Sequence, residues 1–295
     1  MKTAQVKEQA MARFSYTHSA LRKALAEQDY FLDEESCRKL VIYLSLGKPV
    51  GLRGEPGVGK SELAEQMARL LSAPMVDIEC HSQLEASDIG VSWNAFRQIV
   101  DAQTGRMTGD PFSLEYLNRT PLVDSLMSKS PVVVRVDEVD KLNETTSNFF
   151  LRYLDKKELI VHDLAADNKV LKAQAPIYVF LTSNEYRELD PAFMRRVAWM
   201  ELKFPTEEEL TKILSARTGL TSETARRLAY LVLRLRELPL KKKPSVGEAI
   251  EWAQALILAS DGQLTLDAVH LTLGLLLKFP QDEQKGWEVI RSWVK

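Results

Sequence analysis

Gly54-Glu55-Pro56-Gly57-Val58-Gly59-Lys60-Ser61 is the stretch whose reading decides the fold. It satisfies the pattern G-x-x-x-x-G-K-[ST] at every fixed position. Before it, Pro49-Val50-Gly51-Leu52-Arg53 reads as a short strand, and after it Leu63, Met67, Leu70 and Leu71 recur at helical spacing. Strand, glycine loop and helix in that order make a phosphate cradle. Glycines let the backbone turn tightly and aim N–H groups at one phosphate, and the helix N-terminus adds a favourable dipole. Lys60 would reach the β- and γ-phosphates, and the Ser61 hydroxyl would ligate Mg²⁺. A glycine-rich turn that binds nothing is the plain alternative, and the complete pattern in this context argues against it. The expectation is a chain that binds a nucleoside triphosphate.

Two more strands carry polar residues at their ends. Pro131-Val132-Val133-Val134-Arg135-Val136 is a β-branched run closing in Asp137-Glu138. Strands buried on both faces of a parallel sheet read this way, and ligands sit at their carboxyl ends. Asp137 is thereby placed to hold Mg²⁺ or its water, and Glu138 to polarise an attacking water. An acidic pair after an apolar strand is common on its own; downstream of a complete phosphate loop it gains weight. Arg135 breaks the apolar run and needs a partner or an exposed position. The run Ile177 to Leu181 leads into Thr182-Ser183-Asn184, where Asn184 is either a turn former or a group that reaches the γ-phosphate. Arg195 and Arg196 follow a short helical stretch, as a solvated pair or as guanidinium groups aimed at a triphosphate on another subunit.

Composition narrows the class. The 295 residues suit one large or two unequal domains, and 45% hydrophobic with 27% charged residues describes an ordinary globular chain. No run reaches the roughly 18 apolar residues of a membrane span, and the N-terminal stretch through Leu25 reads as a surface helix without a signal-peptide apolar core. Cys37 and Cys80 form no C-x-x-C pair, so a reducing cytoplasm is the expectation. Cys80 beside His81 lacks further ligands at metal spacing. A net charge of −2 gives no global bias toward nucleic acid.

In order and content these elements resemble the AAA+ ATPases. GEPGVGKS is similar to Walker A, VVVRVDE to Walker B, and LTSNEYRELDPAFMRR to sensor 1 followed by an arginine finger. Within that superfamily the chain resembles the MoxR branch. Leu84 to Gly90 (LEASDIG) is similar to the segment before that branch's helix-2 insert, and Leu154 to Gln174 to its hairpin before sensor 1. CHSQLEASDIGVSWNAFRQIV and KKKPSVGEAIEWAQAL resemble CoxD-type members, associated with maturation of a molybdenum–copper dehydrogenase. The resemblance covers about Asp33 to Leu256. It implies ATP and Mg²⁺ as ligands, Gly54 to Ser61 as the nucleotide-binding loop, Ser61 and Asp137 at the metal, and Glu138 as the catalytic acid. Asn184 matches sensor 1, and Arg196 matches the finger with Arg195 as second candidate. It further implies a homo-oligomeric ring, usually a hexamer, and a protein client or partner with a von Willebrand factor A (VWA) domain. Sensor 2 departs from the family: where the branch has arginine this chain reads Lys243-Pro244-Ser245-Val246-Gly247-Glu248. Lys242 and Lys243 are point charges without arginine's fork, so that position stays unassigned.

The expected architecture is an α/β P-loop NTPase with a doubly wound parallel sheet over residues 1–204, followed by a small all-α lid over 205–295. The first part includes an N-terminal helical segment. Thr206 with Glu209 makes a capping box for the first lid helix. Ala225, Leu228, Leu231, Val232 and Leu235 form one apolar face of the lid, and Val269, Leu271, Leu273 and Leu275 to Leu277 another block of its core. Lys241 to Lys243 reads as a solvated loop. Trp93 and Phe96 face either the core or a pore, with core packing expected of each. The function these signs favour is a Mg²⁺-dependent ATPase ring that remodels a protein client. The alternatives are a nucleic-acid-dependent motor and a nucleotide switch that does not hydrolyse.

Overall fold

A run such as Val132-Val133-Val134 has no polar face to turn toward water, so both of its faces must be covered. The computed structural model describes residues 14–107, 109–164, 169–261 and 263–293. Its main sheet contains β1 (Val50–Arg53), β2 (Met75–Glu79), β3 (Val132–Asp137), β6 (Ile177–Thr182) and β7 (Ala198–Glu201), in the order β2-β3-β6-β1-β7. Every pairing is parallel. A separate antiparallel hairpin joins β4 (Glu158–Ile160) to β5 (Val170–Lys172). Residues 165–168 of the segment read as the hairpin before sensor 1, and residues 1–13 of the N-terminal helical segment, lie outside the described residues.

The first of two units comprises Met1–Leu21, Glu34–Arg53 and Lys60–Glu201. Its helices include α2 (Glu34–Ser45), α3 (Lys60–Leu70), α4 (Ala86–Ile89), α5 (Ala95–Gln103), α6 (Pro121–Met127), α7 (Glu144–Lys156) and α8 (Pro191–Met194); α1 (His18–Ala26) begins in this unit. Val132, Val134 and Val136 join Leu122, Leu126, Phe150 and Tyr153 in its core. Burying each such valine contributes on the order of 1.5–3 kcal/mol relative to exposure. Arg135 finds the partners its position demands: Nε donates to Asp77 at 2.7 Å and Nη1 to Glu65 at 2.6 Å. Those bonds, Asp77 first, raise its pKa above the ordinary value against the cost of burial. Trp93 is half-buried and stacks edge-on against Phe112 with ring centroids 5.4 Å apart. Phe96 corrects the expectation of core packing. It is 79% exposed, because α5 buries none of its residues.

The second unit comprises Arg22–Asp33, Gly54–Gly59 and Leu202–Lys295. It holds α9 (Glu207–Thr218), α10 (Ser222–Glu237), α11 (Val246–Ser260), α12 (Leu266–Leu276) and α13 (Pro280–Trp293). Thr206 and Glu209 form the capping box read from their spacing, and Gly219 (φ 75°) closes α9 in a left-handed turn. Ala225, Leu228, Leu231, Val232 and Leu235 all face one core with Trp252 and Leu273. In the last apolar block Val269, Leu273, Leu276 and Leu277 are buried, whereas Leu271 and Leu275 face solvent. A helix of 3.6 residues per turn cannot turn every member of a near-continuous run inward. The Lys241–Lys243 stretch is exposed, as a solvated loop should be, with Lys242 paired to Glu248 and Lys243 to Glu55.

Candidate functional site

The register sets Leu52 beside Thr182 and Val136 beside Leu181, so the carboxyl ends of β1, β3 and β6 lie side by side. Polar residues that follow those ends therefore converge. Ser61, in the first turn of α3, donates its hydroxyl to Asp137 at 2.9 Å (Oδ1) and 3.1 Å (Oδ2). Thr182 donates to Asp137 Oδ1 and accepts the Glu138 backbone N–H at 2.9 Å. At 1% exposure, Thr182 ties the ends of two strands together.

Glu138 leaves the strand in the left-handed region (φ 54°), where a non-glycine residue costs about 1–3 kcal/mol. Its backbone is held there by Thr182, and its carboxylate is gripped at both oxygens. Asn184 Nδ2 donates to Oε1 at 2.9 Å, and the Lys141 ammonium pairs with Oε2. The hydrogen bond to Glu138 raises the Lys141 pKa. Buried Asp140 accepts the backbone N–H groups of Asn184 (3.4 Å) and Tyr186 (2.7 Å), which fixes the loop carrying Asn184.

Lys60 is 6% exposed. Burial pulls its ammonium below the ordinary value, opposed by Asp137, then Asp140, Glu138 and Glu185. A hydroxyl and a carboxylate in contact are hard oxygen donors of the kind Mg²⁺ takes, so Ser61 and Asp137 fit that ion. Among the described residues there is no group of three or more His, Cys, Asp or Glu that could hold a metal by itself. Cys80 is buried, and burial pushes its thiol well above the usual range.

The loop residues pack within the second unit. Gly57 (φ 80°) and Gly59 (φ 96°) adopt conformations that side chains rarely take, and a Cβ on Gly57 would overlap Ser245. Val246 N–H donates to the Gly57 carbonyl at 3.0 Å, and the Tyr30 hydroxyl to the Gly59 carbonyl at 3.1 Å. Lys243 reaches Glu55 at 2.9 Å, while Ser245 and Glu248 form the capping box of α11. Arg236 is 8% exposed, lies 3.9 Å over the Phe204 ring and donates Nε to the Pro244 carbonyl at 2.8 Å. Burial pulls its pKa down to about 10, with Glu55 opposing.

Lys60, Ser61, Asp137, Glu138 and Asn184 thus come together, while neither arginine joins their hydrogen bonds. Arg195 is exposed. Arg196 is half-buried, donates Nη1 to the Ala192 carbonyl at 2.6 Å, and lines a cleft with Lys48, Pro49, Pro176 and Ile177. Ile177 opens β6, and Thr182 closes it. At about 3.3 Å per residue those ends are some 17 Å apart, well beyond an arginine's reach. Sequence reading missed Thr182, Lys141, Tyr30 and Arg236. Thr182 was noted in Thr182-Ser183-Asn184 but given no role, and Lys141 lies three residues after Glu138, so both had a local signal; Tyr30 and Arg236 had none.

A family model described as AAA domain (dynein-related subfamily) matches residues 49–197. The chain is 25% identical over 191 residues to protein CbbQ of Hydrogenophilus thermoluteolus, covering 64% of this chain and 66% of that protein. It is 25% identical over 216 residues to the gas vesicle ATPase GvpN of Ancylobacter aquaticus, covering 68% and 59%. It is 24% identical over 241 residues to the denitrification regulatory protein NirQ of Pseudomonas aeruginosa, covering 77% and 82%. The matches span less than two thirds of the first two relatives' own length.

Proposed function

Because the chain belongs to the AAA domain family in its dynein-related subfamily, and is an ATP hydrolase by family, we propose that it is a Mg²⁺-dependent ATPase working as a ring of copies that remodels or matures a protein client. One observation carries the ring. Arg196 lies at the strand starts, while Asp137, Glu138 and Asn184 gather at the strand ends. A guanidinium so placed has no phosphate to meet in its own subunit, and serves one held by a neighbour.

In this reading Gly54 to Ser61 cradle the triphosphate, and Lys60 sets its charge against the β- and γ-phosphates. Ser61 and Asp137 would hold Mg²⁺, which neutralises phosphate charge when bound. Glu138 accepts the proton of the attacking water, and Asn184, now bonded to Glu138, keeps that water in line. Arg196 brings charge to the transition state from the next subunit. The MoxR-type resemblance supports a hexamer and a VWA-domain partner, and its CoxD-type features a client that receives a metal cofactor. Two buried free cysteines fit a reducing cytoplasm. No helix among the described residues is long and apolar enough to cross a membrane.

Turnover per subunit is expected to fall as the protein is diluted through dissociation. Constant turnover per subunit across that range defeats the shared site. For the client, Glu138→Gln protein loaded with ATP is expected to retain a partner that Lys60→Ala protein loses.

A further inference from the structure

The cleft around Arg196 has a volume of about 400 Å³ and gathers four cations, Lys48, Lys156, Lys157 and Arg196, against one carboxylate, Asp155. Among the described residues none of the four is within ion-pair distance of an acid, and the Arg196 Nε is buried with no hydrogen-bond partner. Excess positive charge and an orphaned buried donor together call for an anion that the chain does not itself supply. We propose that this cleft is the receiving half of a composite site, in which Lys157 acts in trans beside Arg196 on the phosphates of a nucleotide held by a neighbouring copy. The proposal rests on the ring reading above and adds to it a second trans cation.

Lys157 is singled out by how it is held. It caps α7 in the left-handed region (φ 52°), where helices usually place glycine or asparagine. Its ammonium donates to the Leu154 carbonyl at 2.8 Å and stands 5.9 Å from the Tyr153 ring. One of its three protons is thereby used, and the group is anchored at the wall. Lys48 and Lys156 are exposed and carry no comparable anchor. Burial draws the Lys157 pKa down to about 8, with Asp155 opposing and Lys48 adding to the fall. Lys156, Tyr178 and Arg196 also line the cleft, and Tyr178 is itself raised by burial.

The sign of the linkage separates a functional lysine from a structural one. Between about 8 and the ordinary value of 10.5, the unfolded chain holds a proton that the folded chain releases. Charge at Lys157 therefore costs the fold below that window, and the cost fades as pH rises through it. Lys157→Met is expected to melt at the same or a higher temperature at pH 7, a difference that closes by pH 10. Its turnover at saturating ATP should drop at least tenfold, with Lys157→Arg retaining a large share. In the parent, turnover should decline as pH rises through about 8, and this limb should vanish in Lys157→Arg. Lys157→Met mixed with Glu138→Gln should regain activity, since one mixed interface carries both intact groups.

Parent-like turnover in Lys157→Met overturns the proposal, as does loss of turnover accompanied by a lower melting temperature at pH 7. Inorganic phosphate titrated into dilute, dissociated protein tests the other source of the anion. If Lys157→Met abolishes that binding but leaves ring turnover intact, the cleft is a free-phosphate site and the trans role is wrong. Recovery in Arg196→Ala with Glu138→Gln mixtures, alongside a neutral Lys157→Met, removes Lys157 alone. No recovery in either mixture, with co-assembly shown, removes the ring reading itself.

Discussion

At the carboxyl ends of the strands, Asp137 is bonded by Ser61 and Thr182, and Glu138 by Asn184 and Lys141. At the amino ends, Lys48, Lys157 and Arg196 share a cleft without one ion pair among the described residues. In the first region the carboxylates have partners within the chain, whereas the second gathers positive charge that the chain leaves uncompensated among the described residues. Preorganised groups lose little when the substrate binds, whereas an uncompensated cluster costs stability until its anion comes. The difference teaches which end the chain's own groups satisfy and which end we propose a neighbouring copy completes.

The largest effect should come from the cradle. Lys60→Ala removes a buried cation from within the loop-to-helix turn and is expected to abolish ATP binding measured by calorimetry. Binding within tenfold of the parent would mean that the backbone alone holds the phosphates. Next, Arg196→Ala should leave ATP affinity nearly intact and lower turnover by about 10³-fold or more, in the range of trans-acting fingers. Its mixture with Glu138→Gln should regain activity. A flat mixing curve in co-assembled rings would move the role to exposed Arg195 and erase the contrast between the two ends. Glu138→Gln should cost roughly 10²–10⁴-fold in turnover while retaining ATP, the usual worth of a positioned base. Parent-like hydrolysis would mean that the bonds from Asn184 and Lys141 hold an idle carboxylate.

Much of the carboxyl-end region was legible because its signals are local. Gly54 to Ser61 is one contiguous pattern, and Asp137-Glu138 closes a run of valines that must lie inside a parallel sheet. Even Arg135 announced its need for a partner, though not that Asp77 and Glu65 would fill it. The amino-end cleft had no such signal. More than a hundred residues separate Lys48 from Lys157, the hairpin lies between Lys157 and Arg196, and only the strand order brings the three to one wall. Phe96 was misjudged for a related reason, since an aromatic side chain predicts burial only where a helix has something to pack against.

The smallest predicted effect tests whether order at the carboxyl end matters for chemistry or only for stability. Thr182→Val keeps the shape and β-propensity of the residue, so the strand should form. It deletes the hydroxyl that donates to Asp137 and accepts the Glu138 N–H, leaving that half-buried N–H without its partner. The expected cost is about 1–3 kcal/mol, a fall of a few degrees in Tm. If the bond also maintains Glu138 in its left-handed turn, kcat should drop roughly tenfold, a little over 1 kcal/mol of barrier, with KM for ATP little changed. Thr182→Ser, which restores the hydroxyl, should recover most of that loss. A lower Tm with unchanged kcat would mean that Asn184 and Lys141 suffice to hold the carboxylate. The order at this end would then serve the fold, and the contrast with the cleft would be one of stability alone.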